Sequence, residues 1–400
     1  MKVVFNDDQF SFQLLRVLGG SVTGAADIGE CLSTANRIKE GDFESWHDEW
    51  VKTARLIHAV ADANLAAGHP VSALEAYHRA SNYYRAAEFY LHGNPNDPRI
   101  KELSGMSMGC FRQVARLQVP PIEMMEVPYD GTTLPAHFYR VDESEAPRPA
   151  LILHTGFDGT IEELYGIATA ATRRGIHCLT FEGPGQGRVI REQGLPFRSD
   201  WEHVVTPVVD YVQTLPGVDP IKIALMGLSF GGYLAPRAAA FEHRLAACIA
   251  NGGVFDFLAT QVPPGMSRQD LLEFIRQDAA IADKETWKEA ETNTAIRWGI
   301  QNGMFTFKAA TPSEYLLKAS EFVLTGVAEQ ITCPTLVVDA EAEHSFPGEA
   351  KKLYDALTCQ KEFMLFTAEE GAEEHCQIGA AMISQERIFG WLEDVLAKIR

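Results

Sequence analysis

The chain has 400 residues, and 35 Lys and Arg against 54 Asp and Glu give a formal net charge of −19 at pH 7. That balance repels phosphate backbones and anionic lipid surfaces, so neither nucleic acid nor a membrane is an expected partner. Hydrophobic residues at 46% exclude wholesale disorder, no apolar run approaches the ~20 residues of a membrane helix, and at roughly 100–200 residues per domain two units, or one large α/β unit with additions, are expected. The N-terminus turns acidic at Asp7-Asp8 before a signal-peptide hydrophobic region forms, and the seven cysteines are scattered and odd in number. Both features point to reduced thiols in a cytoplasmic protein.

Residues 1–120 read as a helical N-terminal domain. Trp50-Val51, Ala54, Ile57-His58 and Val60-Ala61 recur at i, i+3 and i+4, the period of an amphipathic helix. Gly68-His69-Pro70 ends it, and a second helix runs from about Val71 to Leu91, stopping in the turn-rich His92–Pro98. This hairpin resembles one tetratricopeptide unit. No second copy follows at a period near 34, so the spacing favours a helical domain packed on something else over a peptide-binding array.

At Val119-Pro120-Pro121 the rhythm changes. Ile122–Val127, Asp130-Gly131 and Leu134–Val141 predict a β-hairpin, because Asp-Gly supplies positive φ at its turn. Strands then alternate with helices: strand Pro149–His154, helix Ile161–Arg174, strand His177–Phe181, helix Trp201–Leu215, strand Lys222–Gly227, helix Gly232–Phe241 and strand Leu245–Asn251. Strand Pro334–Asp339, a helix near Gly348–Leu357, strand Glu362–Phe366 and helix Gln377–Ile399 complete the chain. Continuous apolar strands such as Ala150–Leu153 are those of a mostly parallel sheet, here with an antiparallel edge, giving an α/β fold over 121–400. Two helix starts carry capping-box patterns, Thr160-x-x-Glu163 and Ser199-x-x-Glu202. The interval 257–330 is too long for a structureless loop and carries helical patterning, so it reads as an inserted helical lid.

The strongest chemical signal is Gly227-Leu228-Ser229-Phe230-Gly231-Gly232, where a buried strand runs into Gly-x-Ser-x-Gly and then a helix. That context marks Ser229 as a nucleophile held on a strained turn at a helix N-terminus. A serine hydroxyl needs a base, and the base an orienting acid, in the chain order Ser, acid, His for this arrangement. His375, beyond the last strand, lies where the base belongs; His344 is the other late histidine and reads as a neighbour. After strand Thr335–Val338 the pattern Gly-x-x-Asp-x-x-apolar-Pro maps the acid onto Glu343, with Ala340 where Gly is usual; Asp339 and Asp256 are the alternatives. The oxyanion needs two amide donors. Phe230, following the nucleophile, supplies one, and Phe157 in the turn His154–Gly159 the other. Asp158 of that turn, with Trp287, Trp298, Phe305 and Phe307 of the insert, are candidate substrate contacts, although aromatics at helical spacing are more often core. Gly183-Pro184-Gly185-Gln186-Gly187 lacks Lys-Ser/Thr and the spacing of a phosphate loop, and reads as a tight loop near the pocket. No metal-ligand spacing occurs among the histidines and cysteines, so no metal is expected.

With these motifs placed, the chain resembles an α/β-hydrolase. More narrowly, it is similar over nearly its whole length to the group of dihydroxypseudooxynicotine hydrolase and the fungal polyketide-shortening hydrolases. The residues that carry the likeness are the helical N-terminal region, Gly156-Phe157-Asp158-Gly159, the Ser229 elbow, Arg244–Ile249 and Glu374-His375-Cys376; relatives usually carry Asp where Glu343 stands. The resemblance implies a Ser-acid-His hydrolase with no cofactor, often a homodimer, whose N-terminal domain and lid close over a small-molecule carbonyl substrate. An ester, thioester, lactone or β-diketone C–C bond would suit it, in a hydrophobic or aromatic, polyketide-like molecule. Acyl transfer or cyclisation by the same residues, and a non-catalytic binding homologue, are the rival readings.

Overall fold

In the computed structural model, which describes residues 1–263 and 265–399, the chain divides into two units. One comprises Met1–Met124 with Glu289–Phe305, the other Met125–Lys288 with Thr306–Arg400. Among the described residues no helix is long and apolar enough to cross a membrane.

The first unit is helical: α1 (Asp8–Gly19), α2 (Ile28–Ala35), α3 (Phe43–Ala66), α4 (Pro70–Glu88) and α5 (Pro98–Leu117). Asp7, Asp27, Asp42 and Asp97 cap α1, α2, α3 and α5 by accepting a first-turn amide, satisfying donors the helix cannot. α4 stops at Glu88, short of the expected Leu91, and Leu91–Gly93 forms a separate 3-10 turn. Phe10, Trp46, Trp50, Tyr83, Tyr84 and Phe111 are buried at its centre. The segment 289–305, from the middle of the long insert, packs in this unit. Its Trp298 stacks on Phe89 at 5.1 Å between centroids, and its Phe305 on His92 at 4.4 Å. His92 bridges Glu88 at 2.8 Å and Asn302 at 2.7 Å.

The second unit is built on an eight-stranded sheet in the order β1-β2-β4-β3-β5-β6-β7-β8. Its strands are β1 (Glu123–Tyr129), β2 (Thr132–Tyr139), β3 (Arg148–His154), β4 (His177–Phe181), β5 (Val218–Leu228), β6 (Ala247–Asn251), β7 (Thr335–Ala340) and β8 (Lys361–Phe366). Asp130 and Gly131 both take positive φ (41° and 77°) between β1 and β2. β2 meets β4 antiparallel, and from β4 to β8 every pairing is parallel. The mostly parallel sheet with an antiparallel edge is the architecture of an α/β-hydrolase. Leu151–Leu153, Ile223–Leu225 and Leu336–Val338 are buried on both faces, which is why they read as unbroken apolar runs.

The helices of the connections are α6 (Tyr165–Thr172), α7 (Glu202–Val212), α8 (Gly231–Ala239), α9 (Arg268–Ala290), α10 (Thr294–Thr306), α11 (Pro312–Ala319), α12 (Glu349–Ala356) and α13 (Ala381–Leu396). Two expected starts are corrected. The Ser199 capping box does not form: α7 begins at Glu202, whose carboxylate is bound by Arg237 at 2.7 and 2.8 Å instead. The last helix begins at Ala381 and not at Gln377, because Cys376 and Gln377 both turn to positive φ (53°) directly after His375. The Thr160 start does carry its Glu163 carboxylate back onto the Thr160 amide, at 3.0 Å.

Register brings the carboxyl ends of the parallel strands to one edge. His154 of β3 pairs with Gly227 of β5, Leu228 with Asn251 of β6, Asn251 with Val338 of β7, and Ala340 with Phe366 of β8. In open α/β sheets that edge is where ligands bind.

Candidate active site

Ser229 follows β5 and sits at φ 61°, a left-handed conformation that costs a non-glycine residue of order 1–3 kcal/mol. The turn is held by Ser229 N–H donating to Asn251 O at 2.8 Å and Gly232 N–H to Ser229 O at 2.7 Å. Its glycines are required by space. A Cβ at Gly227 would lie 2.0 Å from Gly231 O, and one at Gly232 would lie 2.2 Å from Gly252 O. With no room for side chains, α8 starts directly behind the serine and points its N-terminus at it.

His375 and Glu343 complete a hydrogen-bonded chain to this serine. His375 Nε2 lies 2.8 Å from Ser229 Oγ, and His375 Nδ1 lies 2.6 Å from Glu343 Oε2. Glu343 Oε1 accepts Ser345 N–H at 2.7 Å and Phe346 N–H at 3.0 Å. Burial works to raise the Glu343 carboxyl, but the His375 ring and those two amides outweigh it and hold the group down at about 2. Burial likewise opposes charge on His375. Cys376, with its Sγ 3.4 Å from Nε2, and Glu343 prevail, so the imidazole is held well above its ordinary value. The arrangement lines up a hydroxyl, an imidazole and a carboxylate by hydrogen bonds, the set of groups that activation of a serine requires.

The two other acid candidates have other hydrogen-bond partners. Asp339 Oδ1 accepts the Ala340 amide at 2.9 Å. Asp256 pairs with Arg268 at 2.8 Å and accepts Leu258 N–H at 3.1 Å. His344 lies beside the base, its ring 5.9 Å from that of His375. Among the described residues no group of three or more His, Cys, Asp or Glu is placed to hold a metal ion.

The turn after β3 presses against the serine turn. A Cβ at Gly156 would lie 2.5 Å from Phe230 N, 2.6 Å from Leu228 O and 2.8 Å from Gly231 N. The backbone carrying Phe157 is therefore packed directly on the Phe230 amide. Gly156→Ala is expected to push this turn away and lower kcat by about 100-fold or more, the scale of losing one oxyanion donor. Steady-state kinetics on a variant that keeps its melting temperature checks this, and full activity would contradict the placement.

Of the aromatics expected as substrate contacts, Phe307 packs in the same unit as Ser229. Phe307 belongs to a cluster with Phe157, Phe257 and Tyr315, with centroids 6.4, 6.1 and 5.3 Å away. Phe257 packs tilted against Phe230 at 4.0 Å between centroids and reaches Phe346 at 5.8 Å, and Phe346 stands 5.7 Å from His375. Trp298 and Phe305 lie in the helical unit, packed on Phe89 and His92. Trp287, on α9, is 37% exposed. Asp158 stays half-buried in its turn beside Phe157. Phe257 and Phe346 were not singled out from sequence; the signal available for Phe346 is that it fills the apolar position before Pro347 in the acid-loop pattern.

Sheet order, strand-end serine turn and hydrogen-bonded histidine together define a hydrolase of the α/β-hydrolase class. Residues 30–268 match the family described as esterase FrsA-like, and the chain belongs to that family. It is 34% identical to 20-hydroxy-prefusarin hydrolase FUS2 of Gibberella moniliformis, over 99% of each chain, and 33% identical to hydrolase acrC of Aspergillus aculeatus, over 98% of this chain and 97% of the other. The crystal structure of 2,6-dihydroxy-pseudo-oxynicotine hydrolase shares the fold, with a TM-score of 0.75 at 24% identity over 95% of both chains.

Proposed function

We propose that the chain is a serine hydrolase in which Ser229, His375 and Glu343 cleave a carbonyl compound of hydrophobic or aromatic character. The observation that carries this reading is the chain of contacts Ser229 Oγ to His375 Nε2 to Glu343, at 2.8 and 2.6 Å, on a serine at positive φ. His375 takes the Ser229 proton as the oxygen attacks the carbonyl carbon. The Phe157 and Phe230 amides receive the oxyanion, and Glu343 stabilises the imidazolium. His375 then protonates the leaving group, and water releases the acyl group from Ser229 by the same steps in reverse order of roles.

The aromatic cluster of half-buried Phe157 with buried Phe257 and Phe307 supports a hydrophobic or aromatic substrate over a peptide. The likeness to FUS2, named for hydrolysing 20-hydroxy-prefusarin, supports a small molecule. Either an ester-type bond or a C–C bond next to a second carbonyl suits this chemistry, since an enolate can leave in the latter case.

A fluorophosphonate probe tests the reading. Labelling of Ser229 is expected, and a folded protein left unlabelled would sink the proposal. Product analysis then separates the bond types: an acid with an alcohol or thiol marks ester or thioester cleavage, and an acid with a ketone marks C–C cleavage.

A further inference from the structure

The loop Gly183–Gly187 after β4 takes no part in the chemistry above, yet with the adjoining Glu182 it grips the oxyanion turn at both ends. At the near end Gln186, buried, donates from Nε2 to Thr155 O at 2.7 Å and, at 3.4 Å, to Gly156 O. Its own Oε1 accepts Gly183 N–H at 2.9 Å, which fixes the amide the right way round. At the far end the buried Glu182 carboxylate accepts Ile161 N–H and Arg188 N–H, each at 2.8 Å. Between the two anchors Thr155 Oγ1 donates to Gly159 O at 3.0 Å.

A second group converges on the Thr155 carbonyl. His154 Nδ1 lies 2.8 Å from Thr155 O, and a carbonyl only accepts, so Nδ1 carries the proton. Burial keeps this imidazole neutral, pushing it down to about 4. Thr155 O thus has two donors. The space is equally tight: a Cβ at Gly231 would lie 2.8 Å from Thr155 O, so any swing of this peptide runs into the serine turn.

We propose that Gln186 is a positioning residue for oxyanion stabilisation, an inference that rests on the serine-hydrolase reading. A trans peptide directs its C=O and the following N–H in opposite directions. Holding the Gly156 carbonyl toward the Gln186 side therefore turns the Phe157 N–H away from it, in a turn whose Gly156 is packed on the Phe230 amide of the serine turn. Gln186 never touches the substrate. It supplies the fixed direction that makes an amide donor effective when charge develops, without reorganisation at the moment of reaction.

The test uses the full chain with p-nitrophenyl acetate as substrate and a trifluoromethyl ketone as mimic of the tetrahedral adduct. Gln186→Met keeps the length and removes the donor. It is expected to lower kcat about 10- to 100-fold with KM little changed, and to weaken the ketone in parallel with kcat/KM. Gln186→Glu sets a carboxylate against two carbonyl oxygens. Its kcat relative to wild type is expected to rise as pH falls, because a protonated carboxyl donates again, and the ratio cancels the titration of His375.

Unchanged kcat and ketone affinity in Gln186→Met, or a loss confined to melting temperature, would overturn the proposal. If that variant does not fold, the Gln186→Glu ratio decides, and a ratio flat with pH overturns it. Wild-type protein that neither reacts with a fluorophosphonate nor hydrolyses the ester would refute the serine-hydrolase reading itself, a result distinct from a labelled wild type with active Gln186 variants.

Discussion

Ser229→Ala is expected to lower kcat by on the order of 10⁴–10⁶-fold while leaving ligand binding intact. The argument is local. The bonds that shape the turn, Ser229 N–H to Asn251 O and Gly232 N–H to Ser229 O, are backbone bonds and survive the change. Alanine at φ 61° suffers much the same strain as serine, so the melting temperature is expected to move little. The one group removed is the hydroxyl that His375 Nε2 contacts at 2.8 Å. Without it, the base has only water to activate, and what remains is catalysis by the oxyanion amides and binding. Calorimetric titration with a slow substrate or product reports the retained affinity, and single-turnover kinetics reports the lost chemistry. A variant that turns over near the wild-type rate would remove Ser229 from the reaction.

The parts legible in the sequence are those dictated by short-range chemistry. Buried parallel strands must be apolar on both faces, so β3, β5 and β7 stand out as runs. The serine turn is visible because a Cβ at Gly227, Gly232 or Gly156 would come within 2.0–2.5 Å of backbone atoms, which leaves glycine as the residue that fits. The meeting of Ser229, His375 and Glu343 follows from chain order, since Ser229 and Glu343 follow closely on β5 and β7, His375 lies in the loop after β8, and register aligns those strand ends. Glu343, which meets His375 at 2.6 Å, stands at the acid position of the pattern although it departs from Asp, because the loop's length to Pro347 is kept.

What stayed hidden depends on long-range packing. The aromatic wall joins Phe157, Phe257, Phe307 and Phe346 from four separate segments, and no spacing rule connects them. The insert 257–330 reads as one stretch of helical pattern. Yet residues 289–305 find their partners, Phe89 and His92, among the N-terminal helices. An amphipathic period tells that a helix has an apolar face but not which surface it will cover. The late start of α13 has a similar origin: the chain turns sharply after His375, with Cys376 and Gln377 at φ 53°, and the helix begins only beyond that turn.

Glu343→Gln is expected to cost about 10³–10⁴-fold in kcat, against a few-fold at most for Asp339→Asn. Gln retains an oxygen for the Ser345 and Phe346 amides, so the loop keeps its shape. Its NH₂ then faces His375 Nδ1, 2.6 Å from the present carboxylate oxygen, and donates to it. That selects the tautomer with the proton on Nε2, the nitrogen that must accept from Ser229, and it removes the charge that stabilises the imidazolium. The pH profile carries an independent signature. Activity requires neutral His375, so it rises with pH through the pKa of that group. Glu343 helps to hold this pKa well above the ordinary imidazole value. Loss of its charge is expected to lower the pKa and move the rising limb of kcat/KM to lower pH, even as the plateau falls. Glu343→Asp keeps the charge but is one methylene shorter; it is expected to lose less activity than Gln and to leave the limb nearer its original place. Should Asp339→Asn cost more than Glu343→Gln, or should the limb move upward in Glu343→Gln, the orienting acid would have to be sought at the end of β7 and not in the loop beyond it.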